Sequence, residues 1–156
     1  MKVLCDHMLG NLATWLRILG VDTVFPSNTV SDDEILKCAQ DDGRVLLTRD
    51  KMLVARAKKK GIPVVSVTST SLPDQLRQVL DVVPVDRNEV LSRCTVCNTA
   101  LVPVPVEEAR LHVPEKVAAR QQQFWFCPVC RKFYWKGTHY ENMEQKIAGL
   151  LREPSG

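Results

Sequence analysis

The chain has 156 residues, 45% apolar and 25% charged, the composition of a globular protein rather than of a disordered or fibrous one. At this length a core can bury roughly two thirds of the unfolded surface without disulfides, and no apolar run approaches the ~20 residues of a membrane span. The net charge of +3 is too small to argue for a nucleic-acid partner.

In chain order, the first 82 residues alternate short β-like runs with helical patterns. Lys2–Cys5 reads as a strand, and Leu9, Leu12, Leu16 and Leu19 then recur at helical spacing until Gly20. Asp22–Phe25 is a second strand, closed by Pro26. Ser31 and Glu34 stand at capping-box spacing and open a helix. Arg44–Thr48 is a third strand, Lys51–Lys60 a helix stopped by Gly61, Pro63–Thr68 a fourth strand and Ser71–Leu80 a helix. Strict βαβα alternation predicts an α/β fold with a parallel sheet flanked by helices over residues 1–82.

A proline-bearing connector follows at 83–93, and the composition then turns to cysteine, proline and aromatic residues over 94–156. Asn142–Arg152 suits a closing helix, with Glu153–Gly156 as a frayed tail. The N-terminus reaches Asp6 before a signal-peptide core could form, so six cysteines are expected in a reducing, intracellular compartment, cytoplasmic or nuclear.

The strongest chemical signal is the pair of Cys-x-x-Cys motifs, Cys94–Cys97 and Cys127–Cys130. Each places two thiolates on a tight turn, and together they complete a tetrahedron around one zinc ion. The 29 residues between the motifs exceed ordinary zinc-ribbon spacing and imply an inserted loop around Pro103–Gln123. A closed tetrathiolate site is structural, and in so small a unit it supplies folding free energy on the order of 10 kcal/mol. Cys5 and Cys38 lack partners in sequence and read as buried, small apolar side chains.

A second signal is acidic. Ligands of an open α/β sheet bind at the carboxyl ends of its strands, where Asp6 follows the first strand, Asp50 the third, and Asp32-Asp33-Glu34 the second. Convergent carboxylates repel one another, and Mg²⁺ or Mn²⁺ relieves that repulsion and activates water for phosphodiester hydrolysis. Two uses compete for residues 32–34, helix capping and metal binding, with Asp33 the preferred ligand.

Three stretches then suggest a family: Cys5-Asp6-His7-Met8-Leu9-Gly10-Asn11-Leu12-Ala13-Thr14-Trp15-Leu16-Arg17, Gly43-Arg44-Val45-Leu46-Leu47-Thr48-Arg49-Asp50, and the cysteine pairs followed by Phe133-Tyr134-Trp135-Lys136-Gly137-Thr138-His139. Over residues 1–143 the chain resembles the Mut-seven C-terminal ribonuclease domain, a PIN-like nuclease fold joined to a zinc ribbon. The resemblance implies metal-dependent cleavage of RNA, with Asp6, Asp50 and the 32–34 stretch at the family's acidic positions. It also implies that a 3′–5′ exonuclease domain precedes this one in some longer relatives. Asn11 stands where the family commonly has a basic residue, Lys51 and Met52 where a fourth acid would sit, and Arg131 where a ribbon usually has glycine.

Candidate RNA contacts are Arg17, Arg49, Lys51 and Lys58. For Arg17 a phosphate contact competes with an ion pair. For Lys58 it competes with a solvated helix end. Phe124, Trp125, Phe126, Phe133, Tyr134 and Trp135 offer stacking faces for unpaired bases, although strand alternation turns about half of them inward. Two functions are therefore expected to compete: a divalent-metal-dependent endoribonuclease acting on single-stranded RNA, and an acid-depleted RNA-binding or protein-docking module of an RNA-processing assembly.

Overall fold

Four short strands lie in the first half of the chain: β1 (Lys2–Cys5), β2 (Asp22–Val24), β3 (Val45–Thr48) and β4 (Val64–Ser66). They pair in parallel in the order β2-β1-β3-β4, with Leu4 opposite Val24 and Leu46, and Leu46 opposite Val64. The two central strands are nearly all apolar, and every residue of β3 is buried, as a parallel sheet covered on both faces requires. Helices α1 (Gly10–Ile18), α2 (Asp32–Asp41), α3 (Lys51–Lys59) and α4 (Leu72–Leu80) connect and follow these strands. Leu4 and Leu46 share one sheet face and form a core with Ile35, Leu36 and Ala39 of α2 and Leu53 and Ala57 of α3.

The computed structural model describes residues 1–138, 140–142, 145, 146 and 149. Most of the closing helix expected over Asn142–Arg152, the tail Glu153–Gly156 and His139 lie outside the described residues.

The chain divides into two compact units, Met1–Asn98 and Thr99–Gly156. Residues 83–93, expected as a connector, fall within the span of the first of these units. Val83 and Leu91 are buried, and Leu91 N–H donates to Ile18 O at 2.8 Å. Gly20 permits this approach, with φ +86° and a hypothetical Cβ only 2.2 Å from Glu89 O.

In the second unit β5 (Val102–Val104), β6 (Phe124–Cys127) and β7 (Lys132–Tyr134) form an antiparallel sheet in that order. The segment expected as a loop instead contains β5 and two short helices, α5 (Val106–Ala109) and α6 (Glu115–Arg120). Pro105 and Pro114 stand at their N-caps, so both start where proline stiffens the chain. Several aromatics pack together here. Phe126 lies 4.9 Å from Phe133, His112 stacks on Phe133 at 5.2 Å, and buried Phe124 meets Trp135 edge-on at 6.3 Å.

Candidate active site

The chain runs from β1 outward to β2 and then returns to β3 on the other side of β1. The crevice at the carboxyl ends of β1 and β3 is therefore a topological switch point. Asp6 leaves β1 there and Asp50 follows β3. Asp6 is buried, and its two oxygens have different partners: Oδ1 accepts from His7 N–H at 2.7 Å and Oδ2 from Thr48 Oγ1 at 2.9 Å. Thr48 Oγ1 in turn accepts from Asp50 N–H at 3.0 Å. A single hydroxyl thus ties the ends of the two central strands together.

Asp50 is also the N-cap of α3. Its Oδ1 accepts from Met52 and Leu53 N–H at 2.9 and 3.3 Å, which leaves Oδ2 with no hydrogen bond among the described residues. Both strand-end aspartates carry capping duties, since Asp6 also caps the 3-10 turn His7–Leu9.

Asp33 does not join them. Its exposed carboxylate pairs with Arg56 of α3, while Ser31 and Glu34 complete the predicted capping box at 3.2 and 3.3 Å. The convergence of three acids expected from topology is absent: among the described residues, the one group of three or more potential metal ligands is the four cysteines.

The basic candidates also separate. Lys51 is exposed at the first position of α3, beside Asp50. Lys58 is exposed near the other end of that helix, about 10 Å along its axis, on the side where the chain turns back toward β4. Arg17 is buried and is withdrawn from any phosphate contact. Its Nε donates to Thr23 O at 3.0 Å, and its Nη1 donates to Thr95 O and Val96 O at 2.9 and 3.1 Å. Arg49 differs, because its Nε is buried with no hydrogen-bond partner among the described residues. It lines a cavity of about 330 Å³ with Gly10, Asn11, Thr70, Leu72 and Gln75. The starts of α1 and α4, neither capped by a side chain, border this cavity.

The Sγ atoms of Cys94, Cys97, Cys127 and Cys130 lie within 4.8 Å of one another. Four thiolates are the ligand set of a tetrahedral structural zinc, so the cluster is consistent with one zinc ion. Both turns share a geometry suited to thiolate ligation. Asn98 and Arg131, each following a second cysteine, have φ of +70° and +58°. Their N–H groups donate to Cys94 O and Cys127 O at 2.9 and 2.8 Å. Cys130 N–H also donates to Cys127 Sγ at 3.3 Å. Cys5, by contrast, is wholly buried, and burial pushes its thiol pKa up to about 12, as suits an inert core side chain.

Comparison with known proteins now bears on this geometry. Residues 1–147 match the family described as the Mut7-C RNAse domain. The chain belongs to that family. A stretch of 101 residues is also 34% identical to the human protein named exonuclease mut-7 homolog. It covers 62% of this chain but 12% of the human protein, so this Mut7-C domain corresponds to a small part of that relative's length. Among the described residues no helix is long and apolar enough to cross a membrane.

Two residues of this Mut7-C domain escaped the sequence reading. Thr48 looked like an ordinary β-branched strand residue, although its place two positions before Asp50 is a weak signal for a strand-end hydroxyl. Asn98 carries no motif of its own, yet a residue directly after the second cysteine of such a turn commonly needs a left-handed backbone, which asparagine tolerates.

Proposed function

We propose that this Mut7-C domain is a divalent-metal-dependent ribonuclease that cuts single-stranded RNA endonucleolytically, with Asp6 and Asp50 as its acidic pair. The observation that carries this reading is the Asp6–Thr48–Asp50 link at the switch point of a fold whose family is described as an RNAse domain. Thr48 and His7 N–H orient the Asp6 carboxylate while leaving lone pairs on both of its oxygens. Asp50 uses Oδ1 for the helix and presents Oδ2. A bound Mg²⁺ or Mn²⁺ would supply a water nucleophile at neutral pH and offset charge on the scissile phosphate. Arg49, with an unpartnered Nε beside the cavity, and exposed Lys51 would hold the RNA phosphates. The tetrathiolate zinc site is structural in this reading, because four sulfurs close the coordination sphere.

The deciding experiment is cleavage of end-labelled single-stranded RNA by zinc-loaded protein, with and without Mn²⁺, beside an Asp6→Asn/Asp50→Asn variant. Internal products that need Mn²⁺ and vanish in the variant support the reading. Shortening from the 3′ end alone would replace the endonuclease by an exonuclease, the activity in the human relative's name.

A second reading is favoured by one observation, that no third acid joins Asp6 and Asp50 among the described residues. In it the domain binds RNA or docks on a protein of an RNA-processing assembly without cutting. RNA retention with no cleavage at any Mn²⁺ concentration would select it.

A further inference from the structure

The turn between Cys94 and Cys97 is anchored to the αβ unit by two side chains that none of the chemistry above uses. Arg17, on α1, is buried and spans three carbonyls, one on β2 (Thr23) and two inside the Cys-x-x-Cys turn (Thr95 and Val96). Asn98 closes the same junction from the far end of the turn. Its Oδ1 accepts from Thr23 N–H at 3.0 Å, and its Nδ2 donates to Asp22 Oδ1 at 2.7 Å. Its carbonyl is held by Arg93 Nη1 at 2.9 Å. β2 is an edge strand of the sheet, and Asn98 bonds one of its main-chain N–H groups, so the turn partly covers that edge.

We propose that Arg17 and Asn98 are positioning residues for zinc: they hold the Cys94–Cys97 turn on β2 in its metal-binding shape, so that the αβ unit presents this half of the ligand set already formed. Three physical effects combine. A guanidinium fork bonded to both residues between the cysteines fixes the peptide planes that aim the two sulfurs. The left-handed Asn98 brings its N–H back to Cys94 O, closing the turn. A tetrathiolate zinc centre carries a charge of −2, and Arg17 supplies a buried cation to the backbone of the turn that holds half of it. Outer groups of this kind typically change metal affinity 10- to 100-fold when removed.

The test is zinc competition against a chromophoric chelator, using the whole chain, for Arg17→Gln, Arg17→Lys, Asn98→Gly and a control, Leu36→Ala. Leu36 is fully buried in the same unit on the face packed by α2 and α3, so its truncation lowers thermal stability without touching the turn. Arg17→Gln and Asn98→Gly are expected to weaken zinc binding at least tenfold. Arg17→Lys should fall between Arg17→Gln and wild type, because one ammonium cannot span three carbonyls. The thiolate-to-metal bands of Co²⁺-substituted protein should change in the Arg17 and Asn98 variants and not in the control. Asn98→Gly retains the left-handed backbone and loses only the side-chain bonds, so it decides the matter even if Arg17→Gln does not fold. Wild-type zinc affinity in Asn98→Gly, or equal weakening by Leu36→Ala, would overturn the proposal.

Discussion

The Thr48 hydroxyl donates to the buried Asp6 carboxylate at 2.9 Å while it receives Asp50 N–H at 3.0 Å. Thr48→Val keeps the branched shape and deletes both bonds. Asp6 would keep the His7 N–H on Oδ1 but its Oδ2 would lose its donor in a buried setting, which costs about 1–3 kcal/mol. We expect Thr48→Val to lower the urea midpoint accordingly and to reduce any Mn²⁺-dependent cleavage, whereas Thr48→Ser retains both. Equal stability of the Val and Ser variants would remove Thr48 from this role.

The two duties of Asp50 can be separated by substitution. Asparagine is as good an N-cap as aspartate, while alanine costs about 1 kcal/mol. Asp50→Asn should keep wild-type stability and lose cleavage, and Asp50→Ala should lose both. A stable, active Asp50→Asn enzyme would leave Asp50 as a cap alone.

Gly20 and Gly43 both have positive φ, but their surroundings differ. Nothing lies within 4 Å of a Cβ at Gly43, whereas one at Gly20 collides with Glu89 main chain. Gly43→Ala should cost about 1 kcal/mol from backbone conformation alone. Gly20→Ala must also push the 83–98 segment off α1, and should therefore show a larger drop in melting temperature. Equal drops would mean that the segment yields freely.

Asp22 provides a pH signature. Burial works to raise its pKa, but hydrogen bonds from Asn98 and Arg44, with the charges of Arg44 and Arg93, outweigh it and hold the pKa below the ordinary carboxylate value. A pKa depressed by folding contributes stability above the unfolded value of about 3.9, and this contribution is lost as pH falls through the folded value. The stability gap between wild type and Asp22→Asn should thus be widest near neutrality and narrow below about pH 4. Both proteins carry the same cysteines, so cysteine titration is common to the two curves. A gap independent of pH would contradict the assignment.

Arg131 occupies a left-handed backbone position with φ +58°, where glycine carries no penalty from a Cβ. Arg131→Gly should raise thermal stability by up to about 1 kcal/mol. No gain, or a loss, would show that the arginine side chain offsets its backbone strain.

The αβ alternation, the capping box at Ser31 and Glu34, and the two cysteine pairs were legible in the sequence because each is encoded locally. Apolar periodicity, a Ser-x-x-Glu spacing and a Cys-x-x-Cys turn report on neighbouring residues, whereas the strand order β2-β1-β3-β4 is a property of the fold. The fate of individual charged side chains was not legible in this way. Arg17 and Lys58 stood as candidates for RNA phosphate and Asp33 for a metal ion, and the fold sent Arg17 into a buried clamp, Asp33 to Arg56 and Lys58 to the far end of α3. Whether a charge meets a carbonyl, a partner or solvent depends on residues up to 79 positions away, as for Arg17 and Val96. Only tertiary packing brings these together, because burying an ionic group is tolerated only where distant polar atoms satisfy it.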